Sequence, residues 1–477
     1  MTNIRYNKTK IIATIGPATS SYEMLKKIIK AGVDVCRINF SHGTHEEHKK
    51  VIDNVLRINE ELGTYISLLG DLQGPKLRIG EVEYNKILLK KGETVILTTE
   101  KCIGTAEKLY INYPQLPNDV EKGERILLDD GKIELKIIET IDDKNIEAKV
   151  VYGGYLSSKK GFNLPETNVS MPCLTPKDLV DLEFALAQDL DWIGLSFVRH
   201  PDDVEELRDR INAAGSRAKI ISKIEKPQAV KYIDAIIEAT DAIMVARGDL
   251  GVEMPMEKVP MIQKQIVEKC IIASKPVIIA TQMMESMIEN PTPTRAETND
   301  VANAVMDGAD AVMLSAETSV GKYPVKAIEA MEKILGVTEI EWNIYFKGKK
   351  PNIKSPTFLS DEICFTAVRM SDHIKAQAIV SMTQTGYTAY KIASFRPKCD
   401  VFIFTSNKEI MRTLNLVWNV RVFYYDSMHS TDNSMKDVLD DLKKLKLLKT
   451  DDLVVHTASM PIIAKAKTNT LKISQVD

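Results

Sequence analysis

Two short runs combine the pattern of a buried strand with charge. They are Ile220-Ile221-Ser222-Lys223-Ile224-Glu225 and Ile243-Met244-Val245-Ala246-Arg247-Gly248-Asp249. Charges are costly to bury unless they are paired or bind a metal. Glu225 and Asp249 offer the oxygen ligands that a hard divalent cation prefers. Side chains two residues apart on a strand share a face, which sets Lys223 beside Glu225. A cation site next to a fixed ammonium suits a highly anionic group such as a phosphate.

The elements that must carry these residues follow a regular alternation. Apolar runs lie at 10–15, 33–40, 66–72, 192–197, 218–225, 241–249, 276–283 and 311–317, and seven of them lead directly into a helical pattern, such as 44–62, 175–189 and 226–239. Eight β-α units with near-continuous apolar strands predict a closed parallel (β/α)8 TIM barrel. The third run is followed by an interruption, 73–171, of short β-branched segments separated by Gly, Asp and Asn. This reads as an inserted small antiparallel β-barrel, placed as a lid over the barrel mouth. After a linker, residues 346–477 alternate again as a C-terminal open-sheet α/β domain, which leaves 1–72 and 172–345 as the barrel.

Active sites of such barrels sit at the C-terminal strand ends. Those ends carry Arg37, Asn39 and Ser41; Asp71; Ser196 and Arg199; Lys223 and Glu225; Arg247 and Asp249; Thr281 and Gln282; and Ser315 and Glu317. The usual nucleotide fingerprints, G-x-x-x-x-G-K-[ST] and G-x-G-x-x-G, are missing. His42, His45 and His48 imitate a metal cluster without the spacing of H-E-x-x-H; His45 and His48 are expected on an exposed helix start, with His42 left as a ligand contact.

With 477 residues the chain exceeds a single core, and its net charge of −3 supplies no basic field for nucleic acid or an anionic membrane. No apolar run is long enough to span a bilayer, and the N-terminus lacks a signal-peptide pattern. The six cysteines are widely spaced and read as small buried apolar residues, which fits a reducing cytoplasm.

Nine stretches resemble pyruvate kinase in order along nearly the whole chain. Among them are KIIATIGPATSS (10–21), RINFSHGTHEEH (37–48), GDLQGPKLRIG (70–80), SKIEKPQAV (222–230), MVARGDLGVE (244–253), ATQMMESMIENPTPTRAETNDVANAV (280–305) and LSAETSVGKYPVKAI (314–328). The resemblance implies phosphoryl transfer from phosphoenolpyruvate to ADP with Mg2+ or Mn2+, in a cytoplasmic homotetramer. By the same resemblance, Glu225 and Asp249 hold the metal, and Lys223 faces the transferring phosphoryl group. Thr281 lies at the enolate face, Arg37 touches phosphate, Arg78 matches another active-site arginine, and the stretch Ala246-Arg247-Gly248 holds the substrate carboxylate. Pro17, Asn39, His42 and Lys160 match nucleotide contacts.

Two departures carry expectations of their own. Asn39, Ser41, Asp71 and the carbonyl of Leu72 match a potassium site, but Lys76 stands where potassium-dependent members carry glutamate. A tethered ammonium can supply the charge of the free ion, so potassium is expected to be dispensable. In the C-terminal domain, Thr383-Gln384-Thr385-Gly386-Tyr387-Thr388 replaces the arginine-bearing loop of members activated by fructose 1,6-bisphosphate, and the later loop reads Met460 to Lys467 without its glycines. Thr383, Thr385, Gly386 and Thr388 suit one phosphate at a helix start, so the effector is expected to be a monophosphate (a sugar phosphate or AMP), or none. Two other readings compete. A carbon–carbon lyase of the phosphoenolpyruvate/pyruvate barrel group is opposed by the inserted lid. A catalytically dead sensor is opposed by the presence of Lys223, Glu225 and Asp249.

Overall fold

The computed structural model describes residues 6–345, 347, 349–427, 430–460 and 467–477. Eight parallel strands close into a barrel. They are β1 (Lys10–Ile15), β2 (Val35–Asn39), β3 (Ser67–Asp71), β4 (Trp192–Leu195), β5 (Lys219–Ile224), β6 (Ala242–Ala246), β7 (Val277–Ala280) and β8 (Ala311–Leu314), each paired with its neighbours in sequence and β8 with β1. The strands read as unbroken apolar runs because both faces are covered. In β1, Ile12 points into the barrel core with Val35, Leu69, Met244 and Ile278, while Ile11 and Ala13 join the outer layer beneath the helices.

The strands are shorter than their apolar runs. The run 241–249 ends as strand at Ala246, and helix Arg247–Glu253 begins at once, so Asp249 sits in a first helical turn rather than on a strand. The pattern 226–239 is broken at Tyr232 into helices Pro227–Lys231 and Ile233–Ala239. Helix starts follow their caps. Thr44 with Glu47, Thr175 with Asp178 and Thr294 with Glu297 form reciprocal capping boxes.

The base of the barrel repeats one device four times. Asp34, Asp191, Asp241 and Asp310 immediately precede the even-numbered strands. Each accepts a backbone N–H from the start of the preceding odd strand: Ile11 at 2.9 Å, Leu68 at 2.8 Å, Ile220 at 2.9 Å and Val277 at 2.9 Å. The C-terminal domain docks onto this ring. Arg412 donates to Asp191 at 2.8 Å, Arg396 pairs with Asp310 at 3.0 and 3.1 Å, and Leu416 enters the interior core of the barrel.

The insertion between β3 and β4 forms a six-stranded sheet and a two-stranded ribbon around one core that includes Leu97, Leu128, Leu135 and Ile146. Its strands pair antiparallel except Thr94–Thr98 with Lys108–Tyr110, and an isolated bridge joins Val82 and Gly104 in parallel. The C-terminal sheet contains β9 (Ala378–Met382), β10 (Asp400–Thr405), β11 (Val420–Tyr424), β12 (Leu453–Ala458) and β13 (Thr470–Gln475), in the order β11-β10-β9-β12-β13 with β13 antiparallel. Of the loop Met460 to Lys467, residues 461–466 lie outside the described residues. No described helix is long and apolar enough to cross a membrane. Cys36, Cys173, Cys270 and Cys364 are buried as expected, whereas Cys102 is exposed on the insertion and Cys399 is half-buried; all six are free.

Candidate active site

Strands β2 to β5 bring a compact charged cluster to the barrel mouth. Register sets Arg37 of β2 beside Thr14 of β1 and Leu69 of β3, and sets Asn39 opposite Asp71. The Arg37 guanidinium donates to Asp71 Oδ2 at 2.6 Å and to Thr14 Oγ1 at 2.8 Å. From β5, Lys223 Nζ lies 3.3 Å from Asp71 Oδ1 and 3.0 Å from Glu225 Oε1, and it donates to Ser196 Oγ at 2.8 Å. Ser196 passes its own hydrogen to the carbonyl of Leu72 at 2.7 Å. Lys223 and Glu225 lie side by side as expected, although the strand itself ends at Ile224, one residue before Glu225.

Burial fixes the charge states here. Asp71 and Glu225 are each 1% exposed. Burial alone would lift the Asp71 carboxyl, but the Lys223 and Arg37 charges outweigh it and hold it below the ordinary value. Burial also opposes the Lys223 ammonium, yet Asp71 and Glu225 win and its pKa is raised. Glu225 is the exception. Burial, with Asp249 adding repulsion, outweighs Lys223 and pushes it up to about 7, although it accepts the Phe197 N–H at 2.6 Å. A buried carboxylate held this high would gain from a nearby cation.

The ends of β6 and β7 complete the mouth. Gly248 donates its N–H to Thr281 Oγ1 at 2.7 Å, an approach close enough that a Cβ at Gly248 would sit 3.3 Å from that oxygen. Thr281 donates in turn to the Ala280 carbonyl at 2.6 Å. Arg247 is turned sideways, to Asp300 at 2.7 Å and the Thr281 carbonyl at 2.8 Å. Thr281 and Gln282 hold φ of 67° and 54°, and Phe197 holds 56°. Left-handed backbone at a β-branched residue is strained, and such strain concentrates at functional sites. Gly74, with φ of 69°, packs where a Cβ would lie 2.8 Å from the Phe197 ring and 2.9 Å from Ser196.

Other sequence candidates lie farther out. Asn39 Oδ1 accepts the Ser41 N–H at 3.1 Å, so these two residues and the Leu72 carbonyl gather at the same strand ends as Asp71. Lys76 is exposed and lines a cleft with Asp130, Asn163 and Asp249; among the described residues Asp71 pairs with Arg37 and Lys223, not with Lys76. Arg78 donates to the Lys159 carbonyl at 2.8 Å, and Lys160 pairs with Asp129 at 2.8 Å, both within the insertion. Arg199 donates to the carbonyl of Met171 at 2.8 Å and also to that of Val169, fastening the returning chain of the insertion. Glu317 accepts backbone N–H groups from Ser315 at 2.6 Å and Met284 at 3.2 Å. Pro17 and His42 are exposed at the first two strand-to-helix turns.

The histidine expectation needs correction. His45 and His48 are half-buried, because the helix start packs on an aromatic cluster. His45 stacks on Phe184 and bonds Asp181 at 2.8 Å, and His48 meets the Phe40 ring edge-on.

In the C-terminal domain, Gly386 has φ of 83° and starts helix Tyr387–Ser394. Thr383 Oγ1 accepts the Gly386 N–H at 3.0 Å, Thr385 Oγ1 accepts the Tyr387 N–H at 3.4 Å, and the Thr388 hydroxyl meets Thr468 Oγ1 at 2.8 Å.

An open cavity of about 750 Å³ runs from Asp130 of the insertion past Arg247, Asp249 and Gln282. Sequence reading missed Thr14, which supports Arg37 and left no signal beyond a polar residue late in an apolar strand. It also missed Glu253, whose partners Lys226 and Asn163 come from separate elements.

Comparison with known proteins identifies the family. The family model described as pyruvate kinase, barrel domain, matches residues 6–328, and that described as pyruvate kinase, alpha/beta domain, matches residues 361–474. The chain is 42% identical over 469 residues to a pyruvate kinase of Geobacillus stearothermophilus, spanning 98% of this chain and 80% of that protein. It is 41% identical over 482 residues to a pyruvate kinase of Thermococcus litoralis, spanning 98% and 99%. A crystal structure of a pyruvate kinase from Cryptosporidium parvum superposes with a TM-score of 0.92 at 35% identity, covering 99% of this chain and 96% of that one. The chain belongs to the pyruvate kinase family.

Proposed function

We propose that this enzyme transfers the phosphoryl group of phosphoenolpyruvate to ADP, giving pyruvate and ATP. The observation that carries the reading is the Lys223 ammonium, which lies 3.0 Å from Glu225 and 3.3 Å from Asp71 in a buried cluster. Phosphoryl transfer asks for alignment and charge neutralisation more than for covalent chemistry. Lys223, held charged, stabilises negative charge on the moving group. Arg37 binds phosphate oxygens, and Arg78, which donates from Nη1 to the Lys159 carbonyl and keeps further N–H donors, serves as a second active-site arginine. The backbone at Ala246, Arg247 and Gly248, with Asp249, receives the substrate carboxylate end, and Thr281 serves the enolate face, where a proton is delivered. Pro17, Asn39, His42 and Lys160 contact the nucleotide.

The metal fits the donor chemistry. Glu225, just past the end of β5, and Asp249, in the helix that follows β6, offer two carboxylates from neighbouring strand ends. A two-carboxylate set that leaves the remaining positions to substrate oxygens and water suits Mg2+ or Mn2+. When bound, the ion supplies Lewis-acid neutralisation of phosphate and enolate oxygens.

Finer assignments belong to the same proposal. Residues 1–72 and 172–345 form the catalytic unit, 73–171 the lid, and 346–477 the regulatory unit. Activity is independent of potassium; its support is that Asp71 is already neutralised by Arg37 and Lys223. Fructose 1,6-bisphosphate does not activate, and the loop bearing Thr383, Thr385, Gly386 and Thr388 takes a single phosphate if it takes any. The enzyme acts in the cytoplasm as a homotetramer. Coupling to lactate dehydrogenase tests the main reading: NADH consumption that requires phosphoenolpyruvate, ADP and Mg2+ together supports it, and its absence with folded protein contradicts it.

A further inference from the structure

Behind the two proposed metal carboxylates lies a third that phosphoryl transfer does not use. Glu253 closes helix Arg247–Glu253 and is 3% exposed. Its Oε1 accepts from Lys226 Nζ at 2.5 Å and from Asn163 Nδ2 at 2.8 Å, while its Oε2 has no hydrogen-bond partner among the described residues.

The three residues stand at informative places. Lys226 directly follows Glu225, and its ammonium also lies 5.9 Å from the centre of the Phe197 ring, whose own N–H is donated to Glu225. Glu253 lies one turn after Asp249 in the same helix. Asn163 ends the last strand of the insertion, Phe162–Asn163. One carboxylate thus joins the segment bearing Glu225, the helix bearing Asp249 and the base of the insertion.

Backbone pairing cannot do this work. The ladder between β5 and β6 ends at Ile224 and Val245, before either carboxylate is reached. Beyond it, the Lys226–Glu253 pair ties the two segments directly, and Lys226 has only 12% of its side chain exposed. A buried pair of this kind has one preferred geometry, since separating its members leaves charges stranded. Metal ligands demand placement within about 0.5 Å, which the surrounding shell must supply.

We propose that Glu253 is a positioning residue: clasped to Lys226, it sets the separation of the Glu225 and Asp249 carboxylates, and through Asn163 it anchors the insertion to the same point. The inference rests on the reading of Glu225 and Asp249 as metal ligands.

The test is Mn2+ binding to the substrate-free full-length protein, read by electron paramagnetic resonance of the free ion. Glu253→Gln and Lys226→Met should each raise the Mn2+ Kd by about tenfold, the usual scale for loss of an outer-shell partner. The double variant should be no weaker than the poorer single, because the two side chains act as one unit. If both singles lower the melting temperature but leave the Kd within about twofold, the role is merely structural and the proposal fails. Glu225→Gln and Asp249→Asn separate the two levels. If these controls lose Mn2+ and the clasp variants do not, the clasp alone is wrong; if the controls also retain Mn2+, the metal reading falls and takes the clasp with it. Should Glu253→Gln not fold, Lys226→Gln reads the same coupling.

Discussion

Lys223 Nζ lies 3.3 Å from Asp71 Oδ1, while Arg37 donates to the other oxygen of that carboxylate at 2.6 Å. One buried anion therefore serves two cations from neighbouring strands. The Asp71 and Glu225 carboxylates keep Lys223 protonated against its burial and the nearby Arg37 charge, so it does not act as a general base near neutrality. Its chemistry is that of a fixed positive charge.

Replacing Asp71 removes the shared anion. Asp71→Asn leaves Arg37 and Lys223 facing each other across a neutral amide, and loss of one member of a buried ionic cluster costs about 3–5 kcal/mol. Urea unfolding followed by circular dichroism should show that loss, and the coupled assay should show reduced turnover. A variant as stable and active as the parent would mean that the cluster is idle.

Monovalent ions should be dispensable. With potassium and sodium replaced by tetramethylammonium, the steady-state rate should hold, and Lys76→Glu should introduce activation by potassium. A background rate for the parent protein without potassium would overturn this reading.

The C-terminal loop should ignore a bisphosphate. Titration of fructose 1,6-bisphosphate should leave half-saturation by phosphoenolpyruvate unchanged, because no arginine stands among Thr383 to Thr388 to receive a second phosphate. A large drop in half-saturation would contradict it.

His456 gives a stability signature in acid. It is 2% exposed on β12, its Nε2 has no partner among the described residues, and burial, with Lys472 adding repulsion, lowers its pKa to about 4. The unfolded chain binds that proton near pH 6.5 and the folded chain does not until about pH 4. Between those values the unfolded state holds more protons, so stability falls as pH falls, by roughly 3 kcal/mol across the window. Denaturant melts from pH 7 to pH 4 should show a slope that His456→Leu flattens. An equal slope in the variant would assign it to other groups.

Much of this was legible in the residues because the physics is local. Near-continuous apolar runs marked all eight barrel strands, and period-two alternation placed Lys223 beside Glu225. Strand length was overread where apolar residues continue past the ladder, as at Arg247–Asp249, because hydrophobicity does not separate a buried strand end from a buried helix start. His45 and His48 were misjudged because their burial depends on Phe40 and Phe184, the latter more than a hundred residues away. The Glu253 clasp was hidden for the same reason: its three members come from separate elements. The ring of Asp34, Asp191, Asp241 and Asp310 did leave a signal, an aspartate immediately before every second barrel strand.

The most direct measurement is the turnover of Lys223→Met in the lactate dehydrogenase-coupled assay with phosphoenolpyruvate, ADP and Mg2+, alongside its circular dichroism. The charge-stabilising role predicts a fall of about 10³-fold in kcat with the fold retained. Turnover close to that of the parent protein, in a folded variant, would contradict it.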